Sequence, residues 1–198
     1  MGEPLPPASA VDAVRALAAA RRTWTVLIDG GSGAGKSTLA DLLVAASGAA
    51  LVRLDDLYPG WDGLAAGAEA VRRDLLAPRA TGRAGCWRRW DWAAEAPAER
   101  VVVPAAGGLV VEGSGVLTRA SAPLADLRIW VDLDEPERRR RALARDGDPY
   151  ARQWQRWAAQ EAAASAANAP RTLADLVVDG RRLPQPAVSA RTGNAHYS

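Results

Sequence analysis

Residues 27–38 read LIDGGSGAGKST, and Lys36 within this stretch is the only lysine in the chain. The other 24 of 25 basic residues are arginine. A position that keeps an ammonium among guanidiniums calls for a compact charge with three donors rather than a wide planar fork. The flanking sequence says where that charge sits. Residues 23–28 (TWTVLI) are apolar and β-branched and end at glycine, the pattern of a buried strand. STLADLLVAA, after Lys36, has apolar residues at helical spacing and is closed near Gly48. Between strand and helix, GGSGAGKS at 30–37 satisfies GxxxxGK[ST], the signature of a phosphate-binding loop. Its glycines let successive N–H groups curl inward toward an anion, and the helix adds its positive end beneath. The candidate nucleotide-binding set is therefore Gly30, Gly31, Ser32, Gly33, Ala34, Gly35, Lys36, Ser37 and Thr38. Lys36 is expected on the β and γ phosphates and the Ser37 hydroxyl on Mg²⁺, with Thr38 supporting the helix start or the α-phosphate.

The bulk composition is consistent with one such domain. A chain of 198 residues suits a single core. A net charge of +2 makes the basic pI of 9.1 a matter of arginine chemistry more than charge excess, a poor footing for nucleic-acid binding. The single cysteine, Cys86, cannot form an internal disulfide, and the opening MGEPLPPASA lacks the layout of a signal peptide. No apolar run reaches the roughly 18 residues of a membrane span. These features predict a cytoplasmic protein with neither membrane nor nucleic acid as a partner, and they leave room for a homo-oligomer.

Along the chain, residues 1–10 read as a flexible leader and 11–22 as a short amphipathic helix. Further strands are expected at 50–54, 108–111, 127–133 and 174–178, with helices at 66–76, from about 136, and at 150–167. Residues 78–97, crowded with Trp87, Trp90 and Trp92, read as irregular. Five short apolar strands alternating with helices predict an α/β fold of the P-loop NTPase type: a parallel sheet flanked by helices on both faces. The domain is expected over 11–181, with a poorly ordered tail at 182–198.

A phosphate loop alone serves kinases, switches and motors alike, so the other strand ends must discriminate. Asp55 follows the second strand and Glu112 ends LVVE, so two carboxylates can converge on the loop. Either could hold Mg²⁺, and a carboxylate near the γ-phosphate can also take the proton of an attacking hydroxyl. Both could instead be strand-end punctuation. ERRRRALAR at 137–145 places Arg138, Arg141 and Arg145 on one helical face, a stripe suited to a lid at 136–149 that closes over a nucleotide. Arg139 and Arg140 point elsewhere. Trp154 and Trp157 read as packing, and His196 and Cys86 carry no metal-site pattern. Asp62 fits either a turn or an acceptor contact.

The ordered set GGSGAGKST, LDDLYPGWDGL, APRATGRAGCWRRWDW, LVVEGSG, DEPERRRRALARDGD and DLVVDG resembles the uridine kinase and phosphoribulokinase-like family of P-loop kinases, over roughly residues 23–180. That resemblance implies transfer of the γ-phosphoryl group of ATP to a hydroxyl of a small molecule. It implies Asp55 as general base and Mg²⁺-linked carboxylate and Glu112 completing the metal shell with Ser37, while the arginine stripe puts Arg138 on the nucleotide. Lys36, Arg141 and Arg145 would stabilise the transferring group, and Tyr58, Trp90 and Asp91 would line the acceptor pocket. Just after WDW the family's uridine kinases carry a base-recognising histidine, where this chain reads AAEAPAE. A nucleoside is the leading substrate class. The rival reading is an ATP-binding regulatory or switch protein acting on a protein partner. A guanine switch is excluded, because an NKxD motif needs a second lysine.

Overall fold

The computed structural model describes residues 3–184. The chain enters through Leu5, which forms a parallel bridge to Val178, and continues into α1 (Pro7–Ala20). β1 (Thr23–Asp29) leads through the glycine loop into α2 (Lys36–Ser47), and β2 (Ala50–Arg53) ends in a 3-10 turn, Leu54–Asp56. α3 (Leu64–Val71) and α4 (Ala77–Ala80) are joined by a wider π-helical turn, Arg72–Leu76. β3 (Gly85–Asp91) and β4 (Ala96–Val103) form a hairpin, followed by β5 (Gly107–Glu112) and β6 (Leu127–Asp132). α5 spans Glu135–Asn168, and the short α6 (Pro170–Leu173) leads to β7 (Leu176–Asp179).

The five-stranded sheet is parallel, ordered β2-β5-β1-β6-β7. β1 lies at its centre, so its side chains are buried on both faces from Trp24 onward. Period-2 alternation deals them into two cores. Leu27, with Leu109 and Val111 of β5, packs under α3, the hairpin residue Trp87 and Trp157 of α5. Trp24, Val26 and Ile28, with Val110, Ile129 and Val131, pack under α1 and α2. Because β5 sits between β1 and β2, the segments leaving β1, β2 and β5 open at one sheet edge, where α/β sheets bind ligands.

Several sequence expectations are corrected. Residues 7–10 belong to α1 rather than a leader, and Leu5 is tied to β7 by Leu5 N–H to Val177 O at 2.7 Å and Asp179 N–H to Leu5 O at 2.9 Å. Residues 78–97 are not irregular: they hold the end of α4 and most of the hairpin, in which Trp87 faces the core while Cys86 and Arg88 face out. A register shift between Arg88 and Trp90 breaks the alternation that would have revealed the strand. The two helices expected from about 136 and at 150–167 are present as the two arms of α5, parted at Gly147, which has φ 69° and ψ −155°. The expected tail starts too early, because Leu183 is 3% exposed within the α1–α2 core; residues 185–198, with His196, lie outside the described residues.

Leu27→Ala removes a buried side chain beneath the loop and should cost about 3 kcal/mol, within the usual range for such truncations. Val102→Ala, on a residue 64% exposed, should stay within about 0.5 kcal/mol. Urea denaturation of both variants checks the contrast.

Candidate functional site

The glycine loop leaves β1 at its C-terminal end and turns into α2 at Gly35, whose φ of 106° is left-handed and disfavours a side chain. Gly33 is likewise left-handed, and a Cβ there would collide with the Arg138 carbonyl. Helix entry is also glycine-dependent because Gly35 supplies no side-chain cap, so the first amides of α2 have no side-chain acceptor from it. Lys36 is 9% exposed; its ammonium donates to Gly31 O at 3.2 Å and to Ser114 Oγ at 3.1 Å. Ser37 Oγ donates to Glu112 Oε1 at 2.9 Å. The first-strand loop and the end of β5 thus meet through two side-chain bonds.

Beneath them lies Asp29, the last residue of β1. Its carboxylate accepts the N–H groups of Gly30 (2.6 Å), Gly115 (2.9 Å) and Leu117 (2.8 Å). Burial pushes its carboxyl from the ordinary 3.8 up to about 6, while those N–H groups and Lys36 pull the other way. Burial, reinforced by the negative charge of Asp55, pushes Glu112 up to about 7; Lys36, Ser37 and Arg53 oppose it. The Arg53 guanidinium lies 3.5 Å from Glu112 Oε1 and bonds Asp41 at 2.5 Å.

Asp55 is exposed on the 3-10 turn after β2, and its backbone carbonyl accepts Trp92 Nε1–H at 2.8 Å. Its charge is felt at Glu112 and Tyr58. Arg138 meets the loop, with Nη1 3.2 Å from Ser32 O and 3.2 Å from Glu161 Oε2. Arg141 instead bonds Glu137 at 2.7 Å and Gly180 O at 2.9 Å, and Arg145 bonds its neighbour Asp146. The three arginines share a helix face without sharing a target in this structure.

The expected acceptor residues are placed differently from the sequence reading. Tyr58 is 1% exposed, donates to Ser114 O at 2.8 Å and packs edge-on against Trp157 at 4.8 Å, so it is a core residue supporting the segment after β5. Asp91 accepts Ala93 and Ala94 N–H, both at 3.0 Å, and so closes the hairpin turn. Trp90 is half-buried, and its indole N–H has no partner among the described residues. Asp62 is ion-paired with Arg156. Gln160 accepts Leu64 N–H at 3.3 Å and donates to Trp61 O at 2.7 Å, holding the start of α3.

Sequence reasoning missed three members of the site. Ser114 touches Lys36, Gly30 O and Glu161, and only its place after LVVEG could have pointed to it. Asp29 stands directly before the loop, where burial alone reveals its role. Glu161 sits inside an alanine-rich helix, 129 residues from the Ser32 amide it accepts. Beside it a cavity of about 250 Å³ opens between α5, β6 and the segment after β5, lined among others by Asp29, Ser114, Arg138 and Glu161. Among the described residues no three His, Cys, Asp or Glu side chains form a metal-holding group, and no helix is long and apolar enough to cross a membrane.

No protein-family profile and no curated protein matches this sequence. Solved structures do match. A possible uridine kinase from Bacillus stearothermophilus superposes with a TM-score of 0.60 at 16% identity, over 86% of this chain and 100% of that one. A proposed fructose transport system kinase from Silicibacter sp. TM1040 gives a TM-score of 0.47 at 18% identity, over 83% of this chain and 98% of that one. The chain therefore shares the fold of the first of these structures, a five-stranded parallel sheet flanked by helices, as the sequence predicts.

The buried carboxyls set a pH dependence. The unfolded chain releases the Asp29 proton near 3.8, whereas the folded chain holds it to about 6. Through that window the folded state binds more protons, so stability falls as pH rises, and Glu112 extends the fall toward about 7. Urea midpoints in chelator should drop between about pH 5 and about pH 7 in wild type and drop less in Asp29→Asn. A flat wild-type profile would contradict burial of these protons.

Proposed function

We propose that this chain is an ATP- and Mg²⁺-dependent kinase that transfers the γ-phosphoryl group to a hydroxyl of a small metabolite, with a nucleoside as the leading class. The observation carrying this reading is the junction of Lys36 and Ser37 with the end of β5, where Ser37 Oγ and Glu112 Oε1 stand 2.9 Å apart beside the glycine loop. A hydroxyl and a carboxylate are the oxygen donors a hard divalent ion prefers, and left-handed glycines make the cradle a phosphate needs. The residues present fit both groups. Ser37 and Glu112, with Asp55, would hold the ion, which supplies charge neutralisation at the phosphates.

The chain's own residues would do the rest. The loop amides and Arg138 bind and orient the phosphates, and Lys36 leaves Gly31 O to lie along them. Asp55 takes the acceptor's hydroxyl proton as the new O–P bond forms and ADP leaves. Its exposure at the open sheet edge leaves its carboxylate reachable by an incoming hydroxyl. Arg141 and Arg145 reach the transferring group only after the first arm of α5 moves, as a lid does. The reading takes a small molecule, rather than a protein or nucleic acid, as the acceptor and the cytoplasm as the compartment.

ADP release, measured with and without a panel of nucleosides, sugars, pantothenate and aminoglycosides, tests the reading. At least one acceptor should raise release well above background hydrolysis; stimulation by none of them counts against a small-molecule kinase and for the regulatory rival. Lys36→Ala should weaken ATP binding or turnover at least about tenfold while remaining folded. Asp55→Asn should lower acceptor-stimulated turnover by about 10² to 10⁴, with ATP affinity by calorimetry changing far less. Retention of acceptor-stimulated turnover within about threefold would remove Asp55 as the base.

A further inference from the structure

All three polar positions of Ser32, at the mouth of the loop, are held by α5. Its N–H donates to Glu161 Oε1 at 2.6 Å, its carbonyl accepts from Arg138 Nη1 at 3.2 Å, and its hydroxyl accepts from Tyr150 Oη at 2.7 Å. Glu161 Oε1 also accepts Ser114 Oγ–H at 2.8 Å and Trp157 Nε1–H at 3.1 Å. Oε2 faces Arg138 at 3.2 Å, and the Glu161 side chain is only 11% exposed. Lys36 meanwhile is turned onto the loop's own carbonyl at Gly31 and onto Ser114.

We infer that Glu161 is an internal substitute for a phosphoryl oxygen, a latch that occupies the loop's donors until a polyphosphate displaces it. The inference rests on the reading of 30–37 as a nucleotide-phosphate loop. A carboxylate whose one oxygen takes a loop amide and the hydroxyl bonded to the loop lysine, and whose other oxygen faces a guanidinium, uses the chemistry by which such a loop holds an anion. The Ser32 N–H has one hydrogen and Arg138 lies directly over Gly31, so an arriving phosphate oxygen must compete with Glu161 for these donors. The Arg138–Glu161 ion pair joins the two arms of α5 to each other, and the same two side chains, with Tyr150, hold Ser32 of the loop. The helix also carries the means of release. Gly147 interrupts it, so the arm bearing Tyr150, Trp157 and Glu161 can pivot against the arm bearing Arg138. Displacement would free Lys36 as well, because Ser114 bridges the ammonium and Glu161.

Calorimetric titration with pyrophosphate and with ATP, both without metal, tests the latch. Glu161→Gln keeps the shape and loses the charge, and should bind pyrophosphate about fivefold to tenfold tighter than wild type. Glu161→Ala should shift the same way. Independently of any variant, ATP should speed amide hydrogen exchange across residues 156–168 of the wild-type chain as the arm is released. Equal or weaker binding in both variants, or exchange that slows or stays constant on ATP addition, overturns the latch while Lys36-dependent ATP binding keeps the kinase reading intact. Failure of both wild type and Glu161→Gln to bind either ligand overturns the phosphate-loop reading and the latch together.

Discussion

The buried carboxylate of Asp29 is the constraint on which the site depends. It closes the central strand and gathers N–H groups from the start of the glycine loop and from the segment after β5, two pieces of chain that the sequence separates by more than eighty residues. Those bonds fix where Ser114 stands, and Ser114 in turn fixes where Lys36 points. The cost is a desolvated acid, visible in its raised carboxyl. Buried polar groups that are fully bonded specify one arrangement sharply, and here the arrangement is the floor of the candidate site.

Charge explains the rest of the local order. Asp29, Glu112 and Glu161 bring three carboxylates to one end of the sheet, and the cations that answer them are Lys36, Arg53 and Arg138. The lysine fits because its ammonium reaches between a carbonyl and a hydroxyl, where a guanidinium would need more width. Arginine serves at the rim, where Arg138 can spread over Gly31. A metal ion and a polyphosphate would bring the same two signs of charge, so the chain's internal pairs and its proposed ligands are alternatives at the same atoms.

Aromatic packing joins α5 to the hairpin and to the turn after β2. Trp61 touches Trp92 of the hairpin's far end at 5.2 Å and Tyr150 of α5 at 5.7 Å, while Tyr58 meets Trp157. The turn carrying Asp55 is thereby wedged between the hairpin, through Trp92, and the second arm of α5. These ring pairs bury large apolar areas, which keeps the seam dry, and Trp61 with Trp92 and Tyr58 with Trp157 take the edge-on geometry that the ring quadrupole favours.

The sequence by itself determined the framework. The residues 23–38 run from an apolar strand through glycines to a helix, and local periodicity and backbone freedom act within a few residues, so β1, the loop and α2 were legible to within a residue. Lys36, Ser37 and Glu112 were legible for the same reason, since each sits at a strand or helix end. What only the tertiary structure decided concerns partners far apart in the chain. Nothing local marks Glu161 as a group for Ser32, or turns Tyr58 inward to Ser114, or gives Arg141 to Gly180. The hairpin itself was hidden because its outward face carries arginines and its register shifts midway. Spacing along a helix says which side chains share a face; which element that face meets is set by the packing of the whole sheet.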